Sequence, residues 1–186
     1  IEVDLDDSIM GYLSYPEELP PPTPFTAPDL EGLIEQTLPV SNGDEVIRLT
    51  AGLYPEGLNA TSGVFQLKGG IFFFGDAGIV LSGTAEIRTR DCIIVLDKNA
   101  SFILDGTEAF IQKPSSQNAE LSEWGSVSII SRQPTTDCAI VLLNGASMSC
   151  AGRIMCPMAN VRLNDSELSA TGMHVSTVDV ERGARQ

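Results

Sequence analysis

Histidine is almost missing from this chain, positive charge is scarce, and no stretch stays apolar for long. The only histidine is His174, and the four cysteines (Cys92, Cys138, Cys150, Cys156) form no C-x-x-C pair, so a zinc centre has little support. A Ser-His-Asp triad has no more, because no G-x-S-x-G nucleophile elbow occurs. Lysine and arginine number 11 against 25 acids, a net charge of -14. Such a field repels DNA, RNA and anionic lipid, whose binding needs clustered bases. No nucleic-acid partner is expected, and no cofactor or metal. The longest apolar runs are fragments such as IFFF and CAIVLL, far short of the roughly 18 to 20 residues that cross a bilayer, so no membrane span is expected. Aromatic residues are also few, at 6%, while glycine occurs 17 times, a bias away from bulky-core helices and toward β structure with many turns. There is no initiator Met and no signal-peptide pattern at Ile1, so the chain reads as a processed product or a piece of something longer. The cysteines read as small apolar core residues, with disulfides left open.

What is present divides the chain near residue 40. Residues 1 to 60 hold twelve acids against one base, Arg48, so the acidity belongs mainly to the front. IEVDLDD alternates apolar and acidic residues as a half-exposed strand does. YPEELPPPTPFTAP carries six prolines, which excludes helix and favours an extended arm. PDLEGLIEQTLP is expected to supply one short helical turn, capped by Asp29. Residues 1–40 are therefore read as an acidic, proline-rich arm or cap, and residues 41–186 as the body.

In the body, short β-rich runs alternate with glycine, Asn, Asp and Ser, and they recur. LSGTAEI, which begins at Leu81, returns as LDGTEAFI at Leu104, and LNGASMSCAG, which begins at Leu143, returns as LNDSELSATG at Leu163. A recurring unit of roughly 20 to 23 residues holds two or three strands and their turns, enough for one turn of a β-solenoid. A jelly roll or sandwich does not predict that spacing. RDCIIVLDKNASFILDG from Arg90 and TDCAIVLLNGASMSCAG from Thr136 stand two such units apart, and they read as corresponding faces of different turns. Two full turns would hold Cys92 and Cys138 about 10 Å apart, beyond disulfide reach. Were residues 112 to 135 a protruding loop, as QKPSSQNAELSEWGS suggests by composition, the two turns would be neighbours and bonding would be allowed.

Two longer stretches carry a family resemblance. LTAGLYPEGLNATSGVFQLKGGIFFFGDAGIVLSG and CAGRIMCPMANVRLNDSELSATGMHVSTVDVERGA resemble the glycine-punctuated coil series of TadG-like secreted proteins associated with Tad (Flp) pili. The matching positions are Gly52, Tyr54, Gly69, Gly70, Gly83, Gly152, Pro157 and Gly172, all architectural. Met155-Cys156 stands where the family has Tyr-Ala, and the family's membrane-spanning N-terminus is not in this sequence. The resemblance implies a right-handed parallel β-helix at the cell surface, structural or adhesive, with no catalytic residues to carry over. Together with Cys92 and Cys138, these eight positions are the candidate turn and core residues.

Polysaccharide-cleaving β-helices are the competing class. Their N-T-D, G-H-G and R-x-P-x-x-R settings do not occur, and the one D-D pair, Asp6-Asp7, lies in the arm. Asp91, Asp105 and Asp137, with Arg88 and Arg90, are the groups whose convergence would revive hydrolysis, which needs carboxylates about 5 to 9.5 Å apart. Trp124 and the Phe72-Phe73-Phe74 run are candidates for sugar stacking, with packing the plainer reading. The expectation is a non-enzymatic extracellular module that self-associates into a filament or homo-oligomer, with a surface glycan as the other partner to consider. The alternative is a polysaccharide-binding or polysaccharide-cleaving β-helix protein.

Overall fold

The structure is a computed structural model that describes residues 28, 31–39, 45–115, 118, 121–133 and 137–181. IEVDLDD and most of the proline-rich stretch lie outside those residues. The body is a parallel β-solenoid of about six turns, and every ladder between its strands is parallel. Each turn has three faces. The first turn uses one short strand per face: β1 (Val46–Leu49), β2 (Gly52–Tyr54) and β3 (Leu58–Ala60). In the second, β4 (Val64–Phe74) bends from the first face to the second and β5 (Ile79–Ser82) forms the third. In the third, β6 (Glu86–Leu96) and β7 (Phe102–Asp105) repeat that plan. The fourth uses β8 (Glu108–Ile111), β9 (Val127–Ser131) and β10 (Cys138–Leu143), and the last two are single winding strands, β11 (Ser147–Asn164) and β12 (Glu167–Glu181).

Alternation explains the first face. In VIRL, EIRTR and EAFI every second side chain points inward and the others meet solvent, as period two requires. The inward residues stack in register along the axis. One such column runs Leu58, Ile79, Phe102, Ile140, Val161 and another Phe72, Ile94, Ile129, Ile154, and all are buried. A single turn has no second layer to cover these side chains, so burial arises only when turns stack. Tyr54 stacks on Phe72 and Phe74, with ring centroids 6.4 and 5.3 Å away, and donates its hydroxyl to the Thr50 carbonyl at 2.6 Å.

The second face is buried on both sides, which is why IFFF, CIIVL and VSIIS are nearly continuous apolar runs. Phe72 and Phe74 point into the lumen, and Phe73 points out. A second apolar cluster forms there from Phe73, Ile93, Val95, Val127, Ile130 and Leu121, with Trp124 and Leu33 packed against it. Leu121 and Trp124 come from residues 112–126, which interrupt the fourth turn. The same position of the first face falls at Val46, Val64, Glu86, Glu108, Ser147 and Glu167. The fourth turn, from Glu108 to Ser147, is therefore nearly twice as long as its neighbours, and it is the one carrying this extra segment.

Register supports part of the repeat and corrects part of it. Leu81 lies opposite Leu104, as the first recurrence requires, and Ser147 to Cys150 lies opposite Glu167 to Ala170, as the second requires. Leu163, however, faces Leu142, the neighbour of its sequence match Leu143, because the corner at Asp165 is shorter by a single position than the corner at Asn144. The twin D-C-x-I-V-L segments are not corresponding faces. Cys92 opens the second face of the third turn, opposite Gly70, while Cys138 opens the third face of the fourth, opposite Asn160. Any inward strand of this lumen needs the same apolar letters, so local likeness does not identify the face. The arm also differs from expectation. Among its described residues, the turn falls at Glu31–Gly32 and the chain then extends, with Glu35 bridging to Leu53 as a further rung on the second face. Asp29 lies outside the described residues.

Candidate functional site

The two ends of the stack are finished differently, and the contrast locates the site. At the N-terminal end, the chain around Glu35 hydrogen-bonds to the first turn: Gln36 N donates to Leu53 O at 2.7 Å and Leu53 N to Ile34 O at 2.9 Å. Leu38 packs against the lumen. Beneath this cover, Ile47, Leu49, Tyr54 and Leu58 are all buried.

No described residue covers the C-terminal end. The lumen positions of β12 follow from its register with β11: Leu168 on Met148, Ala170 on Cys150, Met173 on Ile154, Val175 on Cys156, Val178 on Val161 and Val180 on Leu163. In the fifth turn, Met148, Cys150, Ile154, Cys156 and Val161 are buried, whereas in the sixth Met173 is 45% exposed, Val178 40% and Val180 63%. Along its outer edge, β12 has no strand partner among the described residues. The result is an apolar disc with free backbone donors and acceptors, bordered by Glu167, Asp179 and Glu181. Glu181 is held by Asn164, whose Nδ2 donates to its carboxylate at 3.3 Å.

The positions singled out from sequence are corners and lumen, and they do not gather at one place. Gly69 and Gly70 (φ 69° and 81°) turn the second turn from its first to its second face, and Gly83 (φ 61°) closes that turn beneath Thr61. Gly52 lies against the Ile34 carbonyl, so a side chain there would push the capping segment away. Gly152 backs onto Ser126 and Ser128, and Pro157 sits where β11 passes from its second to its third face. Gly172 opens the second face of β12 with ordinary clearance to Arg153, 3.8 Å, and nothing in the structure requires glycine there. Cys92 is buried and Cys138 half-buried; both are free thiols, as are Cys150 and Cys156. Burial pushes the Cys92 and Cys156 thiols up to about 12 and raises Cys150 as well.

The carboxylates are spread around the triangle. Asp91 sits between the first and second faces and accepts from Ser115 N at 2.7 Å. Asp105 sits between the third and first and accepts from Asn144 Nδ2 at 2.6 Å. Asp137 precedes β10, between the second and third faces. These three therefore supply no facing pair for glycoside hydrolysis. Arg88 is ion-paired to Glu86, and no metal-holding group of three or more His, Cys, Asp or Glu occurs among the described residues. Phe72, Phe73 and Phe74 are buried, so they form no open stacking platform.

Sequence reasoning passed over the apolar disc. VSTVDVE carries its signal, a period-two pattern, but that pattern states which side chains share a side and not whether another turn follows. Among the described residues, no helix is long and apolar enough to cross a membrane. No family model, curated protein or solved structure matches the chain.

Proposed function

We propose that this protein is an extracellular structural or adhesive module that self-associates, the open C-terminal turn of one copy packing against that of a second. The observation that carries this reading is the exposure of Met173, Val178 and Val180 at positions that are lumen in the turns below. A free strand edge beside an apolar surface is a template for pairing. Among the described residues, 34–38 occupy the opposite end, which leaves the same disc as the partner surface in a second copy. A contact that uses one patch twice closes into a dimer. Growth into a filament needs a second contact, and the acidic arm of residues 1–40 is the segment proposed for it. The cell-surface setting rests on the resemblance to TadG-like proteins, and protease treatment of intact source cells tests it by removing the module.

Sedimentation over a hundredfold concentration range tests the contact. The wild type should form dimers, and Val178→Glu with Val180→Glu should leave monomers with an unchanged β-rich circular dichroism spectrum, since both side chains already meet solvent. A wild type that stays monomeric throughout overturns the reading. Removing residues 1–15 should abolish any larger assembly and leave the dimer intact.

A further inference from the structure

The outer surface of the first face departs from the charge of the rest of the molecule. Its central row, read along the axis by register, is Arg48, Gln66, Arg88, Phe110, Ser149 and Ser169. Beside it, Lys68 lies opposite Arg90. All four bases are exposed, and so is Phe110, at 43%. Arg88 is engaged, paired with Glu86 and lying 5.9 Å from the centre of the Phe110 ring. The other three have no carboxylate partner among the described residues. Like charges on adjacent rungs, about 4.8 Å apart, cost stability, and a chain of net charge -14 has acids enough to neutralise them. Asp91, next to Arg90 in sequence, accepts from Ser115 N instead.

We infer that this face is a binding track for a linear acidic polysaccharide, a polymer of uronic acids lying along the solenoid axis. Such a chain offers one carboxylate per sugar at a spacing close to the rung repeat, and Arg48 and Arg88, two rungs apart, stand about 10 Å from each other. Lys68 and Arg90 take neighbouring carboxylates. Phe110 presents an exposed ring to the apolar side of a sugar, and Gln66, Ser149 and Ser169 hydrogen-bond hydroxyls along the same line. Nucleic acid fits less well. Its charges come every ~1.7 Å of duplex, about three to each 4.8 Å rung, more than the bases of the track can match. The track is separate from the C-terminal disc and does not depend on self-association.

Titration with oligogalacturonate, watched by fluorescence anisotropy of the labelled oligomer, tests the inference. The wild type should bind, more weakly as salt rises, while neutral cello-oligosaccharide binds at least tenfold less well. Lys68→Gln with Arg90→Gln should cost about tenfold or more and Phe110→Ser severalfold, whereas Arg162→Gln on the third face and the Val178→Glu, Val180→Glu pair should bind as the wild type does. The inference is overturned if the wild type does not bind oligogalacturonate, if Arg162→Gln weakens binding as much as the Lys68 and Arg90 changes, or if single-stranded DNA of equal charge binds more tightly. Retained oligogalacturonate binding by a monomeric protein leaves the track standing while the dimer reading falls.

Discussion

Gly78 and Gly69 share a left-handed backbone and differ in surroundings. A side chain on Gly69 (φ 69°) would enter open space, whereas one on Gly78 (φ 63°) would be driven into the backbone of Ser101 in the next turn. Gly69→Ala should therefore cost only the conformational penalty, about 1–2 kcal/mol. Gly78→Ala should cost clearly more, because two turns must separate to admit the methyl; urea unfolding of the two variants compares them. The family resemblance pointed to Gly69 and passed over Gly57, Gly75 and Gly78, since closeness to a neighbouring turn is a property of stacking. The buried thiols make a second prediction. Cys92 and Cys156 rise from 9.0 to about 12 through burial, so between those values the unfolded chain releases protons that the folded one keeps. Stability should be insensitive to these thiols below about pH 9 and fall above it, by about 1.4 kcal/mol per pH unit for each. Replacing both by alanine should flatten that fall in denaturation curves taken from pH 8 to 11, despite lowering stability overall.

At the scale of elements, the second face shows what an apolar run encodes. IFFF and CIIVL place alternate residues in two separate clusters, and the outer one is closed by Leu121 and Trp124. Leu121→Ala should loosen that cover without disturbing the ladders. The single tryptophan reports on it: its emission should shift red and a hydrophobic dye should bind, with the far-ultraviolet spectrum unchanged. The cost is expected at about 2–4 kcal/mol. The recurrence of LSGTAEI as LDGTEAFI gave the turn length, because corner chemistry is repeated where faces meet. The equation of Cys92 with Cys138 failed, because the lumen selects Ile, Val and Leu on every face and 112–126 breaks the period between them. The loop-like composition of that segment was readable, but the patch it covers was not, for Leu121 and Trp124 join the cluster of Phe73 only after the chain has wound nearly twice more.

Across the whole molecule, stability is distributed along one axis. Among the described residues each interior turn is supported on two sides and β12 on one, and stacked repeats behave as a chain of nearest-neighbour couplings. Hydrogen exchange should therefore be fastest in β12 and slowest in β6, whose second-face half packs in the lumen and beneath the outer cluster. Equal protection in the two would mean that the C-terminal turn is covered in solution. This turn was legible as a strand, but its exposure among the described residues was not, because VSTVDVE looks like any other rung.

The winding also dictates how the protein meets a mechanical load. Tension applied between the first and last turns pulls each rung away from its neighbour in the direction of the hydrogen bonds, so bonds break in succession instead of together. The weakest rung peels first, and each liberated turn of about 20 residues pays out roughly 70 Å of slack. A tether made this way lengthens stepwise under strain, and the lumen residues of the next turn become the new exposed end each time.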